Sequence, residues 1–195
     1  MWMLSLEWLF LAVLVFWVAG ALKRLKRLRQ ESKQAFAAVD AQCVQAIEWL
    51  RHCARRQMLK DKVAGAPVED FSHALLPSAD VLQEVLLQAR QHPLQPASMA
   101  ALESTWRGAQ VAWQGYIQLS SGASGVTDDQ LQEWSLHWQQ LTTLLHHSTD
   151  QFNVAVHDYN SAIAQFPACV IARLSGLKPA RTFQKDAALQ MQPTA

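Results

Sequence analysis

The chain opens with MWMLSLEWLFLAVLVFWVAGAL and passes at once into KRLKRLR. From Trp8 to Leu22 there is no charged residue, and Glu7 is the only charge before Lys23. About twenty helical residues, rising roughly 1.5 Å each, match a hydrocarbon core of about 30 Å. A helix satisfies all its own backbone amides, so it is the one economical way to carry a single segment through lipid. This opening therefore constrains the remainder: whatever follows Leu22 must fold tethered to a membrane surface.

A cleaved secretion signal is the competing reading. It requires positive charge before the apolar run and a small-x-small cleavage site after it. No Lys or Arg precedes residue 23, and the run ends in bulky Leu22 and Leu25 with basic residues around them. Five of the seven residues from 23 to 29 are basic: Lys23, Arg24, Lys26, Arg27 and Arg29. Basic residues confined to the C-terminal flank hold that flank in the cytoplasm. The expectation is a retained anchor over 1–22, a short N-terminus outside, and everything from Lys23 onward in the cytoplasm. Trp2 and Trp8 suit the outer headgroup belt, and residues up to Arg29 suit lipid contact at the inner one.

Net charge is only +1, but it is unevenly spread. Residues 23–62 carry 11 Lys and Arg against 4 Asp and Glu, whereas 63–170 carry 2 against 10. A basic stem is drawn to an anionic leaflet, at roughly 1 kcal/mol per well-placed residue. An acidic body beyond it stands clear of the membrane. The same distribution argues against nucleic acid as a partner, because the basic stretch is held beside lipid and the body would be repelled. Cys43, Cys53 and Cys169 make no CxxC or other metal-ligand spacing, and an odd count in a reducing compartment fits free thiols.

Apolar residues recur with a 3.6-residue period throughout and strand signals are nearly absent, so the fold class is all-α. Leu25, Leu28, Ser32, Ala35, Val39, Cys43, Ala46, Leu50 and Cys53 step by threes and fours, predicting that the anchor continues as one helix to about residue 62. Gly65 and Pro67 end it, and 63–77 reads as a loop. Ser78 caps a helix over 79–91, Pro93 and Pro96 interrupt the chain, and a helix follows over 97–119. SGASG at 121–125 is a link. The tetrad TDDQ, Thr127 to Gln130, reads as a capping box for a helix to about Gln165. That helix carries Leu131, Trp134, Trp138, Leu141, Leu145, Phe152, Val156, Tyr159 and Ile163 inward. Pro167 stops it, and a short helix over 168–175 closes at Gly176. The expected organisation is an anchor, one antiparallel bundle of three to four long helices over 23–183, and a disordered tail over 184–195.

Phe152-Asn153 and Tyr159-Asn160 repeat at seven residues, so both asparagines share a face. Asparagine competes with the backbone inside a helix. Two in register therefore point to hydrogen bonds that fix packing, with Asp40 and Gln42 on the first helix as candidate partners. The seven histidines carry no HExxH, and the pairs Glu48/His52 and Glu133/His137 lack the Glu-x-x-His spacing of bundle metal sites. No GxSxG, phosphate-binding glycine loop or Cys–His pair is present, so no catalytic residue, metal or cofactor is expected. In the tail, Arg173, Lys178, Arg181 and Lys185 flank Phe183, a basic and aromatic cluster suited to the inner leaflet if the chain returns there.

Two stretches resemble the LemA family of membrane-anchored bacterial proteins. AFAAVDAQ, Ala35 to Gln42, is similar to that family's Ala-aromatic-x-x-aliphatic-Asp-x-Gln signature on its first soluble helix. FNVAVHDYNSAIAQFP, Phe152 to Pro167, is similar to its aromatic-Asn-x-x-Val-x-x-Tyr-Asn…Phe-Pro pattern, and IARLSGLKPARTF continues the likeness. The chain departs from the family at Val44-Gln45, where a basic pair is usual, and at Thr149, where an arginine is usual. The resemblance implies a cytoplasmic helical bundle on one span of the bacterial inner membrane, associated with other membrane proteins such as membrane metalloproteases. Together with the residues, it leads to an expected role as a non-enzymatic scaffold or adaptor that binds membrane proteins or itself. The alternative is a ligand- or metal-sensing bundle using His146, His147, Asp150 and the Asn153/Asn160 face.

Overall fold

The computed structural model of the chain describes residues 2–64, 72–120, 127–166 and 168–184. These residues form five helices and no strand: α1 Trp2–Ala64, α2 Ser72–Gln91, α3 Pro96–Ser120, α4 Asp128–Ala164 and α5 Ala168–Leu174. Residues 65–71 of the predicted 63–77 loop, the SGASG link, Pro167 and the tail from residue 185 lie outside the described residues, while 63–64 and 72–77 are helical rather than loop.

α1 is a single helix from the apolar run into the folded body. It is the one described helix long and apolar enough to cross a membrane, with a window of mean hydropathy 1.8. Only 6% of that window is buried, whereas the core helix of a water-soluble domain would be covered by its neighbours. Past Leu22 the character of α1 changes. Leu25, Ser32, Val39, Cys43, Ala46, Leu50 and Cys53 are buried, and Leu28 and Ala35 pack half-buried beside them. The same 3.6-residue stripe thus turns from solvent-facing apolar surface into a core seam within two turns.

Side-chain pairings define how the other helices lie on α1. Arg51 pairs with Asp80 near one end of α2, and Arg90 Nε meets Asp40 Oδ1 at 2.6 Å near the other, so α2 runs antiparallel to α1. The rings of Phe36 and Phe152 meet edge-on at 5.9 Å, Trp49 meets His137 at 4.0 Å, and Trp17 meets Phe166 at 6.5 Å. α4 is therefore antiparallel to α1 along nearly its whole length. Ser32 is fully buried at the crossing, and its Oγ donates to the carbonyls of Leu28 and Ala155 at 3.0 and 3.1 Å. A small hydroxyl residue there lets the two helix backbones approach closely. α3 follows α2 through residues 92–95, tightened by Gln95 N–H donating to the His92 carbonyl at 3.0 Å.

Two local expectations require correction. α2 begins at Ser72 and contains Pro77, so Ser78 is not its cap; the Ser78 hydroxyl donates to the Leu75 carbonyl at 2.8 Å. Proline six residues into a helix removes a single i→i−4 bond, and fully buried Leu75 and Ala79 on either side hold that turn in place. At the start of α4, Thr127 has an extended N-cap backbone but no side-chain capping bond. Its carbonyl still accepts from the amides of Gln130 and Leu131 at 3.0 and 3.1 Å.

Between α3 and α4 the contact is mainly aromatic. Trp138 stacks on Trp106 and Trp113 at 5.6 and 5.0 Å, and Trp134 on Tyr116 at 6.2 Å. Four of the five tryptophans beyond the apolar run are buried, and Trp49, half-buried, lies between the rings of His52 and His137. Burial pushes the Cys43 thiol up to about 12, with help from nearby Asp40, and burial likewise pushes Cys53 up to about 12 against a small opposing effect of Arg56. Both therefore stay protonated and unreactive at neutral pH. Cys169, on α5, is only half-buried.

Candidate functional site

The second half of the chain ends in a device that the helix pattern alone does not reveal. α5 closes in a Schellman motif: Leu177 N–H donates to the Ala172 carbonyl at 2.9 Å, and Gly176 N–H to Arg173 at 3.3 Å. Gly176 takes φ +65, which glycine adopts without a Cβ penalty. The chain thereby reverses, and residues 177–184 run back along α4 as a non-helical strap.

The two asparagines hold that strap. Asn160 Nδ2 donates to the Ala180 carbonyl at 2.8 Å while its Oδ1 accepts from Ala180 N–H at 2.9 Å. Asn153 makes the same pair of bonds with Phe183, at 2.8 and 2.7 Å. Tyr159 Oη adds a bond to the Lys178 carbonyl at 3.1 Å. The spacing has a simple origin. Seven residues of α-helix rise about 10.5 Å, and three residues of extended chain about 10 Å, so a seven-residue Asn repeat matches a three-residue repeat of backbone. Ala180 and Phe183 are buried in the main core, and Arg181 between them reaches buried Glu103 on α3 at 3.3 Å. The strap thus closes the gap between α3 and α4 where the tryptophans do not. Burial raises the Tyr159 hydroxyl's pKa, partly offset by Arg29, so it remains a donor at physiological pH.

Asp40 and Gln42 are not the partners of these asparagines. Asp40 pairs with Arg90, and Gln42 Oε1 is buried without a hydrogen-bond donor among the described residues. The asparagines bind main chain rather than side chains, because an extended segment buried beside a helix needs its own N–H and C=O groups satisfied. The basic and aromatic tail cluster is corrected as well: Phe183 is buried and Arg181 is paired, so neither is available to a leaflet. Phe183 lies on Asn153, level with Phe36, about 20 Å along α1 beyond Leu22.

The basic stem is exposed. Lys23, Arg24, Lys26, Arg27 and Arg29 all face outward, and Arg27 forms an i,i+4 pair with Glu31 at 3.2 Å. Of the histidine cluster, His147 is exposed and bonded to Gln151 at 3.0 Å, while His146 Nε2 is buried without a hydrogen-bond partner among the described residues. Among the described residues, no three His, Cys, Asp or Glu side chains gather as a metal site would require.

A second apolar surface lies next to the apolar run of α1. Ile171 and Ala172 of α5 are buried against Leu25 and Ala162, with Val18, Ala21 and Leu22 packed beside them. This seats α5 at the boundary between the apolar run and the basic stem. Its outer side exposes Leu174 (85%) and Val170, and the preceding turn exposes Phe166 (81%) against Trp17. Comparison of the chain with protein-family models, with curated proteins and with solved structures found no match.

Proposed function

We propose that this chain is a LemA-like, single-span membrane protein whose helices beyond Leu22 form an antiparallel bundle in the cytoplasm and act as a non-catalytic scaffold for membrane proteins. One observation carries the membrane reading: the exposed apolar surface is a belt, not a lone helix. Trp17 lies six residues before Lys23, about 9 Å toward the lipid side, and Phe166 packs on it. Phe166 therefore exposes its side chain at the depth where α1 is itself uncovered, and Val170 and Leu174 on α5 continue that exposed apolar surface to the boundary with the basic stem. A large contiguous apolar patch on a soluble domain marks an interaction surface, and here the patch meets basic residues on one side only. That arrangement suits an inner leaflet with phosphates at the level of Lys23 to Arg29, which orients the folded body toward the cytoplasm.

The scaffold reading follows from continuity. α1 is one helix from lipid into core, so the anchor fixes the orientation of the body as a flexible tether would not. Outward on α3 and α4, Val111, Leu144 and Val154 are exposed and offer contact surface to a neighbour held in the same membrane. The Phe152–Pro167 likeness to the LemA pattern agrees with this assignment, and the membrane metalloproteases associated with that family are a natural partner class. A photo-crosslinking residue at Val111 or Leu144 in native membranes is expected to yield discrete adducts with a membrane protein or with a second copy of the chain. Only unmodified monomer at both positions would contradict the scaffold role.

A further inference from the structure

An open cavity of about 570 Å³ lies where the stem of α1, the α2–α3 loop and the strap converge. Its basic wall is drawn from three separate parts of the chain: Arg29 and Lys33 from α1, His92 from the loop, and Lys178 from the strap. Among the described residues no carboxylate lines it; Asp158, adjacent to the lining residue Tyr159, does not. Arg29, Lys33 and Lys178 have no carboxylate within ion-pair distance among the described residues, so their charge is not neutralised within the fold. Arg29 and Lys33 are four apart on one helix, a spacing at which like charges repel. The strap then places a third cation in the same concave wall, held there by the Tyr159 bond to the Lys178 main chain.

Two further features shape what fits. α3 begins at the cavity with Pro96 and has no acidic residue in its first turn, so its helix dipole adds positive potential. Pro93, Leu94 and Leu177 supply an apolar side. We propose that this cavity binds an organic phosphate, with the phosphate on Arg29, Lys33 and Lys178 and the carbon portion against Pro93, Leu94 and Leu177. Three converging cations call for a multiply charged oxyanion, and the planar guanidinium of Arg29 matches phosphate geometry. The volume exceeds that of a bare phosphate. Arg29 is about 10 Å along α1 beyond Leu22, so two sources deliver the same chemistry. One is a soluble organic phosphate; the other is a phosphorylated lipid headgroup that projects from the inner leaflet. Only the second rests on the membrane reading.

The test uses the full chain, in detergent solution for one arm and in phosphatidylcholine nanodiscs for the other. In one arm glycerol 3-phosphate is titrated by calorimetry; in the other the discs contain phosphatidylinositol 4-phosphate, and retained lipid is counted by native mass spectrometry. The variant Arg29→Gln/Lys33→Gln/Lys178→Gln changes only exposed side chains. A control with the same loss of charge, Lys23→Gln/Lys26→Gln/Arg27→Gln, leaves the cavity intact. Saturable binding in at least one arm is expected, weakened about tenfold or more by the cavity variant and less by the control. Binding of glycerol 3-phosphate alone assigns a soluble ligand, and retention of the lipid alone assigns a headgroup. No saturable binding in either arm, or equal weakening by both variants, overturns the proposal. Because the soluble arm needs no membrane contact, a failure of the membrane reading would not be mistaken for a failure of the cavity.

Discussion

Phe152→Ala is expected to lower the unfolding free energy of the full chain in detergent solution by about 3–5 kcal/mol. Phe152 is fully buried and meets Phe36 edge-on at 5.9 Å, at the centre of the α1–α4 seam. Truncation removes the transfer free energy of the ring and leaves a cavity between two helices. These cannot collapse onto it, because Ser32 already holds their backbones together nearby through its bond to Ala155. Phe152→Leu retains most of the volume and is expected to cost under about 2 kcal/mol. Urea denaturation monitored by circular dichroism reads both. Equal effects of the two variants would mean that the ring is not packed as described.

The second large effect concerns the strap. Asn153→Leu and Asn160→Leu each leave one backbone N–H and one C=O of a partly buried segment without a partner, at about 1–3 kcal/mol per abandoned group. Each single variant is expected to cost about 2–4 kcal/mol, and the pair less than the sum, because releasing one clamp lets the strap fray from the other. Hydrogen exchange provides the discriminating readout: the amides of Ala180 and Phe183 accept no other protection and should exchange rapidly in the double variant, while the α1 core stays protected. Unchanged exchange across 177–184 would show that the asparagines do not hold the strap.

How much of this was legible in the sequence follows from which interactions leave a periodic trace. The α1 seam from Leu25 to Cys53 and the inward residues of α4 from Leu131 to Val156 were readable because burial on one helix face repeats every three or four residues. α2's true start was not, since Pro77 reads as a breaker although its cost is one hydrogen bond, offset by buried neighbours. The Asn153/Asn160 repeat puts both asparagines on one helix face, and both bond the main chain of the strap. Its partner was misassigned to Asp40 and Gln42 because main-chain groups of a non-helical segment leave no mark in a side-chain pattern. A trace existed nonetheless: Ala180 and Phe183 are three apart, just after the stop at Gly176 and Pro179. The cationic cavity was half visible as Arg29 and Lys33, but only the fold brings Lys178 and His92 beside them.

The membrane account stands or falls on the depth of the α4–α5 turn. Three single-label forms of the full chain, all with Cys169→Ser, would carry a fluorophore on Val15→Cys in the apolar run, Leu174→Cys on α5 or Leu144→Cys on α4. The remaining cysteines, Cys43 and Cys53, do not compete for the label at neutral pH because burial keeps both thiols protonated. All three labelled positions are substantially exposed. In vesicles containing a shallow spin-labelled lipid, quenching is expected at 15 and at 174 and not at 144. Quenching at 15 without quenching at 174 would contradict the belt and reduce the membrane contact to a lone helix. Absence of quenching at 15 would contradict the membrane span itself.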